Sequence, residues 1–267
     1  MNIEDLKTEI KLKIRNNTIR LPSLPYVICK IEQKIEDDNS SINSIADLIQ
    51  KDMTVCSRIL QVSNSPALRA RSKITSIKEA VGRIGLNMVK NIIMMITLRD
   101  LFKTSNESLS GLLLDTFKRS IHLSHRVTKF CIRNPKVGFK TDIVNFAGII
   151  FYLGKLPVID YYSEKSSIDI NEVIENSNCL RDYFNQVIVK QWSIDYDLAF
   201  AITRNSVKPL TQDIGNLLYA TDLYLEKRED MYDQSDKFMK LVWTDLKENE
   251  TDDNEEAESI IKILMKD

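Results

Sequence analysis

Apolar residues recur at helical spacing along almost the whole chain. Between Ser44 and Lys51, the residues Ile45, Leu48 and Ile49 lie three or four positions apart, which places them on one face of a helix. Few residues interrupt this pattern, because the 267 residues include only 7 glycines and 6 prolines, and no Asn-Gly or Asp-Gly pair marks a tight hairpin. The pattern therefore predicts an all-α fold.

Polar residues mark where several helices begin. Ser76 and Glu79 form the pattern of a capping box, and Asp52 is placed to cap the helix that runs through Leu60. Further helices are predicted over residues 112–132, 142–152, 155–162, 180–191, 196–205, 210–227 and 235–246.

The polar stretch from Lys103 to Ser108 separates two strongly apolar regions and predicts a domain boundary. We expect two helical subdomains: an N-terminal helical bundle over residues 1–105 and a second helical subdomain over residues 106–246. Residues 247–267 are predicted to form an acidic linker and a C-terminal helix. The most acidic part, from Glu248 to Glu258, is predicted to be solvated.

Composition favours a globular protein of the cytoplasm. Hydrophobic residues make up 43% of the chain and charged residues 28%, and the longest apolar runs are shorter than the roughly 20 residues of a bilayer span. The N-terminus has no basic region followed by an apolar core, as a secretory signal would have. The short apolar runs also lead us to expect no membrane association. The 4 cysteines form no C-x-x-C pair, so we expect reduced thiols.

Charge is distributed unevenly between the two halves of the chain. Residues 1–140 carry 24 Lys and Arg against 13 Asp and Glu, a balance of +11, and residues 141–267 carry 13 against 25, a balance of -12. Two interpretations are open: the halves attract each other, or the basic half binds nucleic acid. We favour the first, because no compact basic cluster with interleaved aromatic residues is present.

Only two histidines are present, His122 and His125, and they are three residues apart on a predicted helix. This spacing puts them on one face, where they could clamp a cation, but Lys118 and Lys129 lie on the same face and oppose metal binding. The simpler interpretation is a pair of boundary histidines on a basic helix. A weak anion-binding or partner-binding face made by these four residues is the alternative.

Several separate blocks carry a resemblance to a known family. They are Leu21-Pro22-Ser23-Leu24-Pro25, Asp52, the run Leu60 to Ser65, the run Ile74 to Val81, and Ile84-Gly85. In order and spacing they resemble the N-terminal signature of the HDOD family, whose members are bacterial signalling modules related to HD phosphohydrolases. The resemblance extends from about Leu21 to about Glu226.

The same resemblance implies that the metal site has been lost. The segment Phe146 to Leu156 has the apolar frame of an HD metal-binding helix, but Phe151 and Tyr152 stand where His and Asp are expected. A catalytic metal needs several imidazole and carboxylate ligands to lower the pKa of a bound water. The positions corresponding to the former site are Arg119, Phe151, Tyr152, Arg204, Asn205 and Asp222.

Of these positions, only Asp222 retains a metal-ligand type that matches the family. We expect no catalytic residue, no metal and no cofactor, and we expect the aromatic pair to fill the former cavity. A second surface lies at Asn64 and Ser65, where Asn64 could cap the end of its helix or dock a partner.

The sequence thus predicts a non-enzymatic signalling protein that acts through contacts with a regulatory protein. Two alternatives remain: a divergent metal-dependent phosphohydrolase of nucleotides or cyclic dinucleotides, and a nucleic-acid-associated regulator. The first requires a metal site, and the second requires binding that weakens steeply with salt. Partner, upstream signal and oligomeric state are not specified by the sequence.

Overall fold

A computed structural model describes residues 2–35, 41–68, 72–193, 214–228 and 237–265. Within these ranges the regular elements are helices, which confirms the predicted all-α fold. The α-helices are α1 (Ile3–Arg15), α2 (Tyr26–Ile35), α3 (Ile42–Ile49), α4 (Met53–Ser63), α5 (Ile77–Ile84), α6 (Leu86–Leu98), α7 (Glu107–Arg133), α8 (Thr141–Ile150), α9 (Leu156–Ser163), α10 (Ile170–Gln191), α11 (Ile214–Leu225), α12 (Lys237–Glu248) and α13 (Glu250–Met265). Short 3-10 helices lie at Pro66–Leu68, Arg99–Phe102, Pro135–Val137 and Leu153–Lys155.

The helix caps follow the side-chain chemistry of the sequence. Asp52 accepts hydrogen bonds from the backbone N–H groups of Thr54 and Val55, both at 3.0 Å. Ser76 accepts from the N–H of Glu79 at 3.1 Å, as expected. The Glu79 carboxylate, however, accepts from the N–H of Thr75 at 2.8 Å. The predicted reciprocal bond to Ser76 is therefore shifted by one residue.

The helices form two groups that meet along α6, α7 and α8. Helices α2 to α6 pack on one another, and α7 packs on α8, α11, α12 and α13. Helix α1 packs on α9 and α10 of the second group, although the sequence analysis assigned it to the N-terminal bundle. Its buried residues Leu6 and Ile10 make this contact apolar. The boundary at residue 105 stays a prediction.

Helices α7 and α8 approach each other closely at a glycine. A Cβ atom added to Gly148 would lie 2.4 Å from the Cα atom of Ser124, so a larger residue would force the helices apart. Nearby, Asn145 donates a hydrogen bond to the Thr128 hydroxyl at 3.0 Å. These contacts fix α8, and with it the turn that follows, against the long helix α7.

The stretch Thr141–Ser163 is long and apolar enough to cross a bilayer, with a mean hydropathy of 1.5 in its most apolar window. It comprises α8, α9 and the 3-10 helix between them, and 83% of that window is buried inside the protein. Core helices commonly have this composition, so the stretch is weak support for a membrane span.

Candidate functional site

Phe151 and Tyr152 lie at the C-terminal end of α8, in the turn before the 3-10 helix Leu153–Lys155. Their side chains are almost fully buried, with 3% and 0% exposed. The two rings meet edge to face with centroids 5.2 Å apart, a favoured aromatic geometry. The aromatic pair therefore belongs to the core of the second group of helices.

Helix α10 holds this turn in place through Asn185. The Gly154 N–H donates to Asn185 Oδ1 at 2.7 Å, and Asn185 Nδ2 donates to the carbonyl oxygen of Phe151 at 2.8 Å. A Cβ atom at Gly154 would lie 2.0 Å from the carbonyl oxygen of Arg181, so the close approach requires glycine. Backbone contact thus sets the position of Tyr152 relative to α10.

Tyr152, Lys155, Arg181 and Asp222 form a buried polar cluster, which we call the Tyr152 network. The Tyr152 hydroxyl donates a hydrogen bond to Asp222 Oδ1, and Arg181 Nη1 donates to Asp222 Oδ2 at 3.0 Å. The Arg181 guanidinium also lies 4.1 Å from the centroid of the Phe151 ring, a cation–π contact. Both carboxylate oxygens of Asp222 are therefore engaged by side chains of this protein.

Burial controls the protonation of the network. It lowers the pKa of Lys155 to about 8, an effect that Asp222 partly opposes and that Arg181 and Arg119 reinforce. Burial, together with the Asp222 carboxylate, raises the pKa of Tyr152 well above its usual value. Tyr152 therefore stays protonated at neutral pH and acts as a hydrogen-bond donor.

Arg119 of α7 forms an ion pair with Glu226, with 2.7 Å between Nη1 and Oε1. The Arg119 guanidinium also interacts electrostatically with Tyr152 and Asp222. The structure thus brings together four of the six predicted positions: Arg119, Phe151, Tyr152 and Asp222. The other two, Arg204 and Asn205, lie outside the described residues.

These residues do not fit a bound metal ion. Phe151 has no ligand atom, the protonated Tyr152 hydroxyl is directed at Asp222, and Asp222 is already bound by Tyr152 and Arg181. No group of three or more His, Cys, Asp or Glu side chains in the described part of the chain could hold a metal ion. A buried arginine close to the remaining carboxylate would also repel a cation.

The two histidines of α7 face carboxylates of α13. His122 Nε2 lies 3.1 Å from Glu258 Oε1, and His125 Nε2 lies 3.2 Å from Glu256 Oε2. Lys129 also forms an ion pair with Glu256. Burial lowers the pKa of His122, and burial and Lys129 lower that of His125 to about 4. His125 is therefore neutral at neutral pH, because Lys129 already balances the charge of Glu256.

The prediction that residues 248–258 form a linker is wrong, although six of these 11 residues are exposed. Residues from Glu250 onward form α13, in which Asp253 is only 1% exposed. Arg133 binds Asp253 through Nη1 at 2.9 Å and Asp245 of α12 through Nη2 at 2.6 Å. The acidic residues are helical because basic residues of α7 pair with them.

The contact surface predicted at Asn64 and Ser65 is largely used within the fold. Asn64 is the C-cap of α4, and its side-chain amide donates to the carbonyl oxygens of Leu60 at 2.7 Å and Ile74 at 2.8 Å. The N–H of Ile74 donates back to Asn64 Oδ1 at 2.7 Å. Ser65 is buried, with 4% exposed. Lys118 is partly buried on α7.

Sequence reasoning missed Arg181 as a member of the site. A signal was present, because Arg181 lies between Ser177 and Phe184 at helical spacing on the buried face of α10. A charged residue at such a position needs a partner, and its side chain is only 14% exposed. Lys155 Nζ lies 4.9 Å from the Tyr152 ring centroid, a cation–π contact.

The fold and this altered site define a helical protein of the HD-related class. The family model of the HDOD domain matches residues 21–205, and the chain belongs to this family.

Known structures share the fold over nearly the whole chain. A protein from Shewanella amazonensis SB2B, provisionally named a metal-dependent phosphohydrolase, superposes with a TM-score of 0.79 at 20% identity, covering 98% of this chain and 99% of that one. An HDOD domain protein of unknown function from Geobacter sulfurreducens gives a TM-score of 0.70 at 18% identity, covering 99% and 100%.

A provisionally named signal transduction protein from Marinobacter aquaeolei VT8 gives a TM-score of 0.61 at 16% identity, with 98% of this chain and 65% of that chain covered. An uncharacterized protein of Treponema pallidum (strain Nichols) is 26% identical over 93 residues, which span 35% of this chain and 18% of that protein. At these identities, the solved structures establish the fold alone.

Proposed function

We propose that this HDOD protein is a non-enzymatic component of a bacterial signalling pathway and acts in the cytoplasm by binding a regulatory protein. The Tyr152 network carries the proposal. In a phosphohydrolase of this fold the central site must supply ligands to a metal ion, whereas here Tyr152 and Arg181 bind both oxygens of Asp222. We infer that these contacts stabilise the fold.

The position of Arg181 supports the same conclusion. Its guanidinium stacks on Phe151 and pairs with Asp222, so one side chain links two positions of the predicted site. Recreating a metal site would require removal of this arginine as well as restoration of the His-Asp pair. Arg181 therefore stabilises the arrangement in which both oxygens of Asp222 are occupied.

The pairing of α7 with α12 and α13 disfavours the nucleic-acid alternative. Lys129 and Arg133 form ion pairs with Glu256, Asp245 and Asp253, so their charges are largely balanced within the protein. A nucleic-acid surface needs basic groups that can release counterions from phosphates.

The test combines metal analysis with activity measurement on the purified full chain. After incubation with iron, manganese or zinc we expect no stoichiometric metal and no hydrolysis of nucleotide or cyclic dinucleotide phosphoesters. The matched control is Asp222→Asn, which removes the one acidic residue of the network. About one metal per chain together with turnover, both lost in Asp222→Asn, would contradict the proposal.

A pull-down from the native cell tests the positive half of the proposal. We expect the full chain to retain a regulatory protein, and the purified pair to bind again in a direct titration. Failure of any retained protein to bind directly, under conditions in which the chain is folded, would count against a protein-binding role.

A further inference from the structure

Helices α7, α11, α12 and α13 enclose a surface groove that is separate from the Tyr152 network. Its volume is about 1120 Å³, within reach of the size of small-molecule sites. Tyr224 lies at its wall and is partly exposed, and the almost fully buried Trp243 ring packs edge to face against it, with centroids 5.2 Å apart. No residue of the network lines it.

Arg126 lies in this groove with part of its hydrogen-bonding capacity unused. Its side chain is 1% exposed, and its guanidinium lies 5.3 Å from the Tyr224 ring centroid. Nη2 donates to Asn254 Oδ1 at 2.8 Å, but Nε and Nη1 have no acceptor among the described residues. A buried guanidinium with unfilled donors is costly, and an anionic ligand would provide acceptors.

Nearby carboxylates do not fully compensate the charge of Arg126. Burial lowers the pKa of Arg126 although Asp253 and Glu250 act in the opposite direction. Asp253 is bound by Arg133, and Glu250 accepts a hydrogen bond from the Tyr224 hydroxyl at 2.9 Å. The charge of Arg126 is therefore compensated only in part.

Two further cations lie at the edge of the groove. Lys227 and Lys247 line it and are exposed, so together with Arg126 the described residues of the groove include three cationic side chains and one carboxylate, that of Glu250. Lys227 has a φ of 56°, a left-handed conformation in which glycine is usual at a helix end. A lysine at this strained position keeps a cation at the groove.

We propose that this groove is a nucleotide-binding site, in which Arg126, Lys227 and Lys247 bind phosphate and the Tyr224 ring contacts the base. A simple anion would use only the cations, and an apolar ligand only the ring. A nucleotide uses both, because it joins a planar base to a phosphate. This binding requires no catalysis and does not depend on the identity of any protein partner.

Calorimetric titration of the full chain with ATP, AMP, adenosine and inorganic phosphate tests the site. We expect ATP and AMP to bind more tightly than either adenosine or phosphate alone. Lys227→Glu and Lys247→Glu should each weaken ATP binding by about tenfold or more, because each replaces an attraction with a repulsion. Lys240→Glu is the matched control on α12 and should change the affinity by less than about twofold, since Lys240 does not line the groove.

Arg126→Met separates binding from structure. If Arg126 is kept for a ligand, the methionine variant should melt at the same temperature as the wild type or higher, and should lose ATP binding. Undiminished ATP binding in Arg126→Met and in both lysine variants would overturn the proposal. So would absence of nucleotide binding at millimolar concentration, or binding of a polyglutamate peptide or RNA in the groove without binding of mononucleotides.

Discussion

Tyr152 contributes both packing and hydrogen bonding to the core. Its ring fills buried space, and its hydroxyl donates a hydrogen bond to Asp222. Phe151 supplies apolar volume and a surface for Arg181. At this scale the two aromatic residues stabilise the core by packing and by binding the buried charges of Arg181 and Asp222.

Phe151→Ala should lower the free energy of unfolding by about 3 to 5 kcal/mol, because it removes a buried ring and leaves a cavity beside Arg181. Chemical denaturation monitored by circular dichroism measures the change. Ile132→Ala is the control, since Ile132 is 59% exposed and should have a small effect. Equal effects of the two substitutions would mean that Phe151 does not pack in the core.

Asp222→Ala should lower the free energy of unfolding by about 3 to 5 kcal/mol, because it leaves Arg181 buried without its partner. Combining it with Arg181→Met should recover part of the loss, since the uncompensated charge is then removed. Thermal and denaturant unfolding of the single and double variants measure the coupling. Additive losses would show that the two side chains act independently.

The burial of Phe151 and Tyr152 could be predicted from the sequence, whereas the hydrogen bonds around them could not. An apolar helix with two aromatic residues at its end indicates a core position, but the partners Arg181 and Asp222 come from α10 and α11. Local patterns do not specify which distant charge faces which. Only the fold brings Arg181 Nη1 to 3.0 Å from Asp222 Oδ2.

At the scale of elements, the main departure from expectation is α13. Its first turns are so acidic that their composition alone indicates a solvated segment. Lys129 and Arg133 of α7, more than 100 residues away in sequence, pair with two of its buried carboxylates. The apolar residues Ile260, Ile261 and Leu264 of this helix are buried.

The contact between α7 and α13 predicts a dependence of stability on pH. The pKa of His125 is lowered from 6.5 to about 4 in the folded protein, so between these values the unfolded state binds more protons. The contribution of neutral His125 to the free energy of unfolding is therefore complete above about pH 6.5. It is lost as the pH falls, and the loss amounts to about 3 kcal/mol at pH 4.

Denaturant unfolding of the wild type and of His125→Gln over this pH range measures the effect. The difference between the two proteins isolates His125, because the carboxylates titrate in both. We expect His125→Gln to have the flatter profile. Parallel profiles would mean that His125 has the same pKa in the folded and unfolded states.

At the scale of the molecule, the opposite charges of the two halves meet within the fold. Arg133 binds carboxylates of both α12 and α13, and Arg119 binds Glu226 just beyond α11. The predicted attraction between the halves agrees with these contacts. The described basic side chains of α7 are distributed over its length because their partners come from three successive helices.

High salt should loosen the docking of α12 and α13 on α7. At about 1 M salt the Debye length is about 3 Å, so partly exposed pairs such as Arg133 with Asp245 are screened. Hydrogen exchange of α13 amides at low and high salt measures the effect, with the α8 amides as an internal control. Equal protection of α13 at both salt concentrations would show that apolar packing alone holds it.

Helix α13 also touches the first group of helices. Arg58 of α4 donates to the carbonyl oxygen of Ile263, and Arg99 Nη2 donates to that of Met265 at 3.3 Å. Helix α13 thus contacts arginines of the first group of helices and pairs with basic side chains of α7 in the second group. A ligand that binds α7 only when α13 has moved away is therefore coupled to the contacts of α13 with Arg58 and Arg99. By thermodynamic reciprocity, a second ligand bound at those arginines changes the affinity of the first ligand by the same factor as the first changes that of the second.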